Sequence, residues 1–273
     1  MHFLDFEKEI AIYIPSYNCE NYIEDVIGTI PHDLYDLIDL LIIDNCSTDG
    51  SVSKIISLIN NNNFPFKINL IRTKQNVGYS GSQKLAYQLV QNSKNVKKVI
   101  MLHSDGQYPS SLLLKFKPYF NSTAAVVNGF RSKDNYKDEE ETPFVTYNIV
   151  KCLNKIENYF TGFRYKEWHS GFVMYSVNFF KKIPFEKLTS TRHFDGEMLI
   201  CAGVLKDEVV SIPIYKRYRR HVRFSGFGLV KYVCLHVPTI IIKYIFGYHK
   251  NILSGKPSIK SVNISEQYDI LVH

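Results

Sequence analysis

Short apolar runs alternate with amphipathic segments through the first 120 residues of this 273-residue chain. Residues 9–14 (EIAIYI), 37–43, 67–71 and 99–102 are apolar, and each run stops at a polar or proline-bearing cluster. Between them apolar residues fall at helical spacing: Tyr22, Ile23, Val26, Ile27 and Ile30; then Val52, Ile55, Ile56 and Ile59; then Leu85, Leu89 and Val90. The runs predict buried strands, and the spaced positions predict helices packed on them. Such alternation predicts parallel βαβ units in a layered αβα fold of the α/β class, with a mostly parallel central sheet.

The second half is less regular. Residues 124–127 predict a strand that ends at Asn128, Gly129, Phe130 and Arg131, and the charged stretch 132–141 predicts a mobile loop. Helices are predicted over 144–160 and 194–205, with a small one reaching Lys182 and a further one opened by Pro109. Strands are predicted over 168–175 and 208–214. In the tail, Leu229, Tyr232, Val233, His236, Val237, Ile240, Ile241, Tyr244 and Ile245 make one apolar helical stripe, which Pro238 should kink. Only residues 232–242 lie between Lys231 and Lys243, fewer than the roughly 20 a bilayer span needs. The tail is therefore expected to lie in a membrane interface, with its lysines at headgroup level, or to pack on the sheet or in a homodimer. This divides the chain into a main domain, 1–225, and a helical tail, 226–273.

Composition narrows the partners. A net charge of +7 favours something anionic: phosphates or a membrane surface. No arginine-rich arm or aromatic RNA-binding signature is present, so nucleic acid is not expected. The five cysteines are scattered without CxxC spacing, which predicts reduced thiols and a cytoplasmic protein. The N-terminal MHFLDFEKEI is acidic where a signal peptide is basic.

The chemistry gathers at predicted strand ends, where open α/β sheets bind ligands. The run 99–109 (VIMLHSDGQYP) ends a strand at His103, Ser104, Asp105 and Gln107, a place where a carboxylate holds a divalent ion against a diphosphate. Asn18 is placed to cap the first helix. The turn at Gly78 fits neither GxGxxG nor a Walker motif, which argues against a dehydrogenase or a P-loop ATPase.

Four segments, in order, resemble the family 2 glycosyltransferases of GT-A fold, and among them the polyprenyl-phosphate sugar synthases of the dolichyl-phosphate mannose synthase type. PSYN (15–18) resembles the family's PxYN element, DNCSTDG (44–50) its VDDGSTDG, and HSDGQYP (103–109) its DADGQHP. EWHSGF (167–172) with FDGEML (194–199) resembles its acceptor-side elements. The resemblance makes residues 1–225 a catalytic domain with a Rossmann-like nucleotide-binding half, and implies a nucleotide-diphospho-sugar donor, UDP- or GDP-linked, and Mg²⁺ or Mn²⁺. It places Pro15, Tyr17, Asn18, Asp44, Gly78, Ser104, Gln107 and Arg131 on the donor, Arg131 as a fork for a phosphate. It places Asp105, with His103, on the metal; the family usually has Asp at position 103, and His suits Mn²⁺ better than Mg²⁺. Asp49 is expected to cap its helix.

On the acceptor side, the catalytic candidates are Asp195, Glu197 and Glu167. Trp168 and His169 are candidates to stack on the sugar, His193 is a further acceptor-side candidate, and Arg217 or Arg219 would meet a phosphate. Departure of the nucleotide builds charge that a cation and Arg or Lys stabilise. A lipid-phosphate acceptor is already ionised, whereas a saccharide hydroxyl needs a general base. The basic run 216–223 before the apolar tail suits an anionic lipid headgroup at the cytoplasmic face of a membrane. A polysaccharide-extending transferase and a catalytically degenerate nucleotide-sugar-binding protein are the alternatives.

Overall fold

The computed structural model describes residues 4–62, 64–132, 143–218, 226–255 and 268–272. Its centre is an eight-stranded sheet in the order β7-β5-β6-β4-β1-β2-β3-β8. The strands are β1 (Ile10–Ser16), β2 (Ile38–Asp44), β3 (Ile68–Thr73), β4 (Lys98–Met101), β5 (Val126–Arg131), β6 (Val173–Ser176), β7 (Val209–Ile214) and β8 (Tyr268–Val272). Pairing is parallel from β4 through β1 and β2 to β3, and between β5 and β7. β6 runs antiparallel between β4 and β5, and β8 antiparallel beside β3.

Both faces of the sheet are covered, which is why its strands read as unbroken apolar runs. Along β1, Ala11 and Tyr13 enter one core with Leu85, Ala86 and Phe194, while Ile10, Ile12 and Ile14 enter another with Ile23, Val26 and Ile55. The first core lies under α3 (Gly78–Gln91), α5 (Val177–Phe180) and α6 (Phe194–Leu205). The second lies under α1 (Ile23–Gly28) and α2 (Ser51–Asn61). Since β6 reverses twice, β1 to β5 and β7 otherwise point one way, and their carboxyl ends form a single edge.

Four expectations change. Pro109 opens two 3-10 segments, Ser110–Lys115 and Lys117–Tyr119, rather than an α-helix; Pro118 has no N–H to offer the carbonyl of Leu114. The strand expected over 168–175 begins only at Val173, because the backbone before it bonds side chains rather than a ladder: the carbonyl of Glu167 accepts from Asn128 Nδ2 (2.6 Å) and the N–H of Trp168 donates to Asn154 Oδ1 (2.9 Å). The division at 225 does not hold to the end of the chain, since Tyr268–Val272 is not helical and adds β8 to the central sheet. The last concerns the tail. The loop expected over 132–141 lies, from residue 133 onward, outside the described residues.

α4 (Phe144–Thr161) ends at Gly162, whose φ of +75° suits a left-handed cap. The tail runs as α7 (Gly226–Lys231), a π-helical segment (Tyr232–His236), α8 (Val237–Ile245) and α9 (Tyr248–Ser254). Pro238 lacks the N–H that would bond the carbonyl of Cys234, and the helix widens there instead of breaking. Val237 and Ile241 pack on Leu153 of α4. Contrary to expectation, Gly228–Ile245 is long and apolar enough to cross a membrane by length and composition: 18 residues, mean hydropathy 1.4, of which 17% are buried. The two lysines do not interrupt it sufficiently to change that.

Candidate donor and acceptor site

The carboxyl edge of β1 and β2 presents Tyr17 and Asp44. Tyr17 is half exposed, as a ring that stacks on a base requires, with Pro15 at the end of the strand before it. Asp44 is fully buried; its Oδ2 accepts the Ser47 N–H (3.1 Å) and meets Arg72 Nε (3.3 Å), and its Oδ1 has no partner. A buried acceptor without a donor is costly, and a nucleobase N–H would relieve it. Arg72 was not among the sequence candidates; its place one strand over from Asp44 comes from β2–β3 register.

Asn18 does not cap α1. At φ +48° its Oδ1 accepts the Thr48 N–H (2.9 Å) and its own N–H donates to Ser47 Oγ (3.0 Å), so it locks the 44–50 loop. Asp49 does hold the start of α2, accepting the Ser51 N–H (3.0 Å). Gly78 opens α3 at φ +74°, with Asn76 Oδ1 accepting its N–H.

Beyond β4 the chain turns at Gly106, φ +67°, a conformation that favours glycine. Asp105 Oδ1 accepts the Gln107 N–H (3.0 Å), which fixes the carboxylate. Ser104 and Gln107 are buried, and the carbonyl of Gln107 accepts the N–H of Arg217 (2.8 Å). His103 Nε2 lies 3.2 Å from the carbonyl of Gly171; a carbonyl only accepts, so that nitrogen carries the proton and Nδ1 alone offers a lone pair. Burial pushes the His103 imidazolium below its ordinary range, against the pull of Asp105.

The acceptor side departs further from expectation. Arg131 is not a free fork. Its Nε and Nη2 donate to Glu167 Oε2 and Oε1, both at 3.0 Å, in a pair almost wholly buried. The same contact removes Glu167 as a base, since the guanidinium beside it outweighs burial and holds its carboxyl below the usual range. Trp168 does not face a sugar: it is buried, and its Nε1 donates to Asn158 Oδ1 (2.9 Å). Glu197 is also not available for catalysis, because Thr189 N–H (2.6 Å) and His249 Nε2 (2.9 Å) occupy its two oxygens, with Lys243 at 3.6 Å. His169 and His193 both turn toward Glu157, away from any open face. Arg217 lies at the edge, and Arg219, with the rest of the basic run to Arg223, falls outside the described residues.

Asp195 remains. Gln83 Nε2 (3.0 Å), Tyr175 Oη (3.1 Å) and Tyr79 Oη (3.2 Å) donate to it. Burial nevertheless raises its carboxyl to about 6. Tyr79 carries it to the corner where Gly171 approaches His103: a Cβ on Gly171 would stand 2.6 Å from both His103 Nε2 and Tyr79 Oη. Lys216, the first residue of the basic run, sits over the Tyr108 ring near Asp105, and burial together with Arg131 lowers its ammonium to about 8. A cleft of ≈ 370 Å³ opens between β5 and α4, lined by Arg131, Lys151, Lys166 and Tyr147 among others.

No curated protein sequence matches the chain. Among solved structures it is similar to glucosyl-3-phosphoglycerate synthase from Mycobacterium tuberculosis. The complex with UDP superposes with a TM-score of 0.60 at 17% identity, covering 88% of this chain and 81% of that one. The complex with Mn²⁺, UDP and phosphoglyceric acid gives 0.61 at 13%, covering 88% and 79%. The complex with Mg²⁺ and UDP gives 0.61 at 16%, covering 88% and 80%. A sheet with this order and these site-bearing edges is thus the GT-A fold. The model for "Glycosyl transferase family 2" matches residues 11–189, which hold Tyr17, Asp44, Asp105 and Glu167 together, and the chain belongs to that family.

Proposed function

We propose that the protein is an inverting glycosyltransferase that moves a sugar from a UDP- or GDP-linked donor to a polyprenyl phosphate at the cytoplasmic face of a membrane. The observation that carries the acceptor is the tail: an 18-residue apolar helix, 17% buried, packed on α4 beside a cleft lined with Arg131, Lys151 and Lys166. The exposed apolar side chains cluster on those elements, with Phe144, Val145, Tyr159 and Phe160 on α4 and Leu235, Ile242, Ile245 and Phe246 on the tail. Such a surface suits a bilayer, and the lysines beside it suit anionic headgroups.

On the donor side, Tyr17 and Asp44 would take the base and Asp105 a divalent ion. The fit is sound for Mg²⁺ or Mn²⁺: a fixed carboxylate, one oxygen of which is held by the Gln107 N–H, with a neutral His103 beside it. That ion, when bound, neutralises charge on the departing diphosphate. Lys216 adds a cation near the same place. The acceptor phosphate needs no base; what the chain supplies is alignment behind the anomeric carbon.

A second reading has its own observation. Asp195, raised to about 6, is buried behind Tyr79, whose hydroxyl donates to it; Tyr79 Oη would take the proton of a hydroxyl on a saccharide or a small phosphorylated acid as its own proton passes to Asp195. The M. tuberculosis synthase was crystallised with phosphoglyceric acid.

The deciding experiment offers UDP- and GDP-sugars with Mn²⁺ or Mg²⁺ to the protein, with undecaprenyl phosphate, phosphoglycerate or no acceptor. Lipid-dependent turnover is expected, and Asp105→Ala should abolish it and the metal-dependent binding of nucleotide. Turnover on the soluble acceptors with no response to lipid overturns the first reading for the second.

A further inference from the structure

Glu157, His169 and His193 come from three separate parts of the chain. Glu157 is on α4, His169 lies in the turn before β6, and His193 immediately precedes α6. Glu157 and His193 are buried, and the side chain of His169 is 4% exposed. One donor atom from each falls within 4.8 Å of the other two. Glu157 Oε1 is 2.6 Å from His193 Nε2, and Glu157 Oε2 is 2.9 Å from His169 Nε2. The second contact is close but misaligned: neither atom makes a hydrogen bond, so a carboxylate oxygen and an imidazole nitrogen are buried facing each other without a satisfied partner. Native interiors seldom tolerate this without an ion or a water.

The far side of each ring is organised. His169 Nδ1 lies 2.8 Å and His193 Nδ1 2.9 Å from the same atom, Tyr232 Oη, on the π-helical segment of the tail. A phenolic oxygen accepts two hydrogen bonds. With both Nδ1 atoms protonated and donating to it, both Nε2 atoms face Glu157: the contact of His193 Nε2 with Oε1 holds a shared proton, while His169 Nε2 presents a bare lone pair to Oε2. That lone pair and the carboxylate repel unless a cation sits between them. Ring nitrogens fixed by an outer partner on the opposite side are the usual arrangement of histidines that bind metal.

We propose that Glu157, His169 and His193 bind a divalent transition ion of the zinc class, at a site separate from Asp105, with Tyr232 holding both imidazoles in the ligating tautomer. Two imidazoles and one carboxylate are a ligand set of zinc, with the fourth position left to water. A tetrahedral ion with bonds of about 2.0–2.1 Å needs its donors about 3.3–3.4 Å apart. The carboxylate and the rings must therefore part by about 0.4–0.8 Å, within the reach of a rotamer adjustment. Binding displaces the proton now shared between His193 Nε2 and Glu157, which leaves to solvent. The ion would fasten the tail, through Tyr232, to the acceptor side of the catalytic domain. An ion at Asp105 would be completed by the phosphates of a donor nucleotide; this one needs no nucleotide.

The test is zinc retention by the full-length protein without nucleotide. Chelator-stripped protein is given Zn²⁺, passed through gel filtration and assayed for metal, and Co²⁺ is substituted to record its visible bands. One equivalent of zinc is expected in the wild type and in Asp105→Ala, with a rise in melting temperature and an intense tetrahedral cobalt spectrum. Glu157→Gln and His193→Gln should lose the ion, and Tyr232→Phe, which keeps the ring and its packing, should weaken it about 10–100-fold. Circular dichroism separates loss of metal from loss of fold. The proposal is overturned if stripped wild type takes up no zinc, if Asp105→Ala loses it, or if folded Glu157→Gln keeps it.

Discussion

Single residues at this site are defined by their neighbours more than by their type. Asp195 and Glu197 stand two apart, yet one is a protonatable carboxyl raised to about 6 and the other is tied down by Thr189 and His249. If Asp195 serves as base, kcat/KM should fall below about pH 6, and Asp195→Asn should remove that limb along with most of the activity. The same raised value makes a stability prediction. The folded chain binds the Asp195 proton more tightly than the unfolded chain, so this residue's contribution favours folding at low pH and is lost as pH rises from about 4 to about 6. Urea midpoints of wild type and Asp195→Asn measured across that window should diverge accordingly. Lys216 behaves in the opposite direction as a binding group. With its ammonium at about 8, its cation is lost as pH climbs through that value, and the KM for the donor should rise there. Lys216→Arg should hold KM flat, because guanidinium stays charged.

At the scale of elements, the acceptor side is assembled by contacts between segments distant in sequence. The Arg131–Glu167 pair joins the end of β5 to the turn before β6, with Nη2 also donating to the carbonyl of His169 (3.3 Å). Glu167→Gln should leave Arg131 buried and unpaired and cost about 3–5 kcal/mol, read from chemical denaturation. Replacing both, as Arg131→Met with Glu167→Leu, should return much of that, since what destabilises is the stranded charge rather than the missing pair. A double variant as unstable as the single one would mean that the carbonyl of His169 and the hydroxyl of Tyr218 depend on the guanidinium more than the carboxylate does. Much of the element pattern was legible beforehand: every predicted strand to residue 131 is present, and α4 and α6 begin at the residues expected. The misses share a cause. The 3-10 geometry after Pro109, the short length of β6 and the widened turn ahead of Pro238 all depend on backbone hydrogen bonds, which the apolar pattern does not record.

For the whole molecule, the surface that matters most is the one shared by α4 and the tail. Phe246 is 81% exposed and Phe144 74%, both on segments otherwise anchored through Leu153, Val237 and Ile241. A bilayer covering that face predicts co-flotation with liposomes containing anionic lipid. Leu235→Ser, Ile242→Ser, Ile245→Ser and Phe246→Ser combined should abolish flotation without unfolding the protein, since all four side chains are more than half exposed. Loss of a dimer on sedimentation, with flotation unchanged, would assign the face to a second copy of the chain instead.

The sequence by itself determined the layered sheet, the order of its first five strands along the chain and the strand-end positions of Tyr17, Asp44 and Asp105, because periodicity and chain reversals are local properties. Tertiary structure alone decided which candidates are free to act. Arg131, Glu167, Trp168 and Glu197 have the chemistry of a site but spend it on buried partners, while Lys216 and Arg72 stand where the donor is expected. It also decided that residues 268–272 complete the sheet and that Glu157 meets two histidines 12 and 36 residues away. Whether a polar side chain is spent or available is set by what the fold brings within about 3 Å of it, and no spacing along the chain encodes that distance.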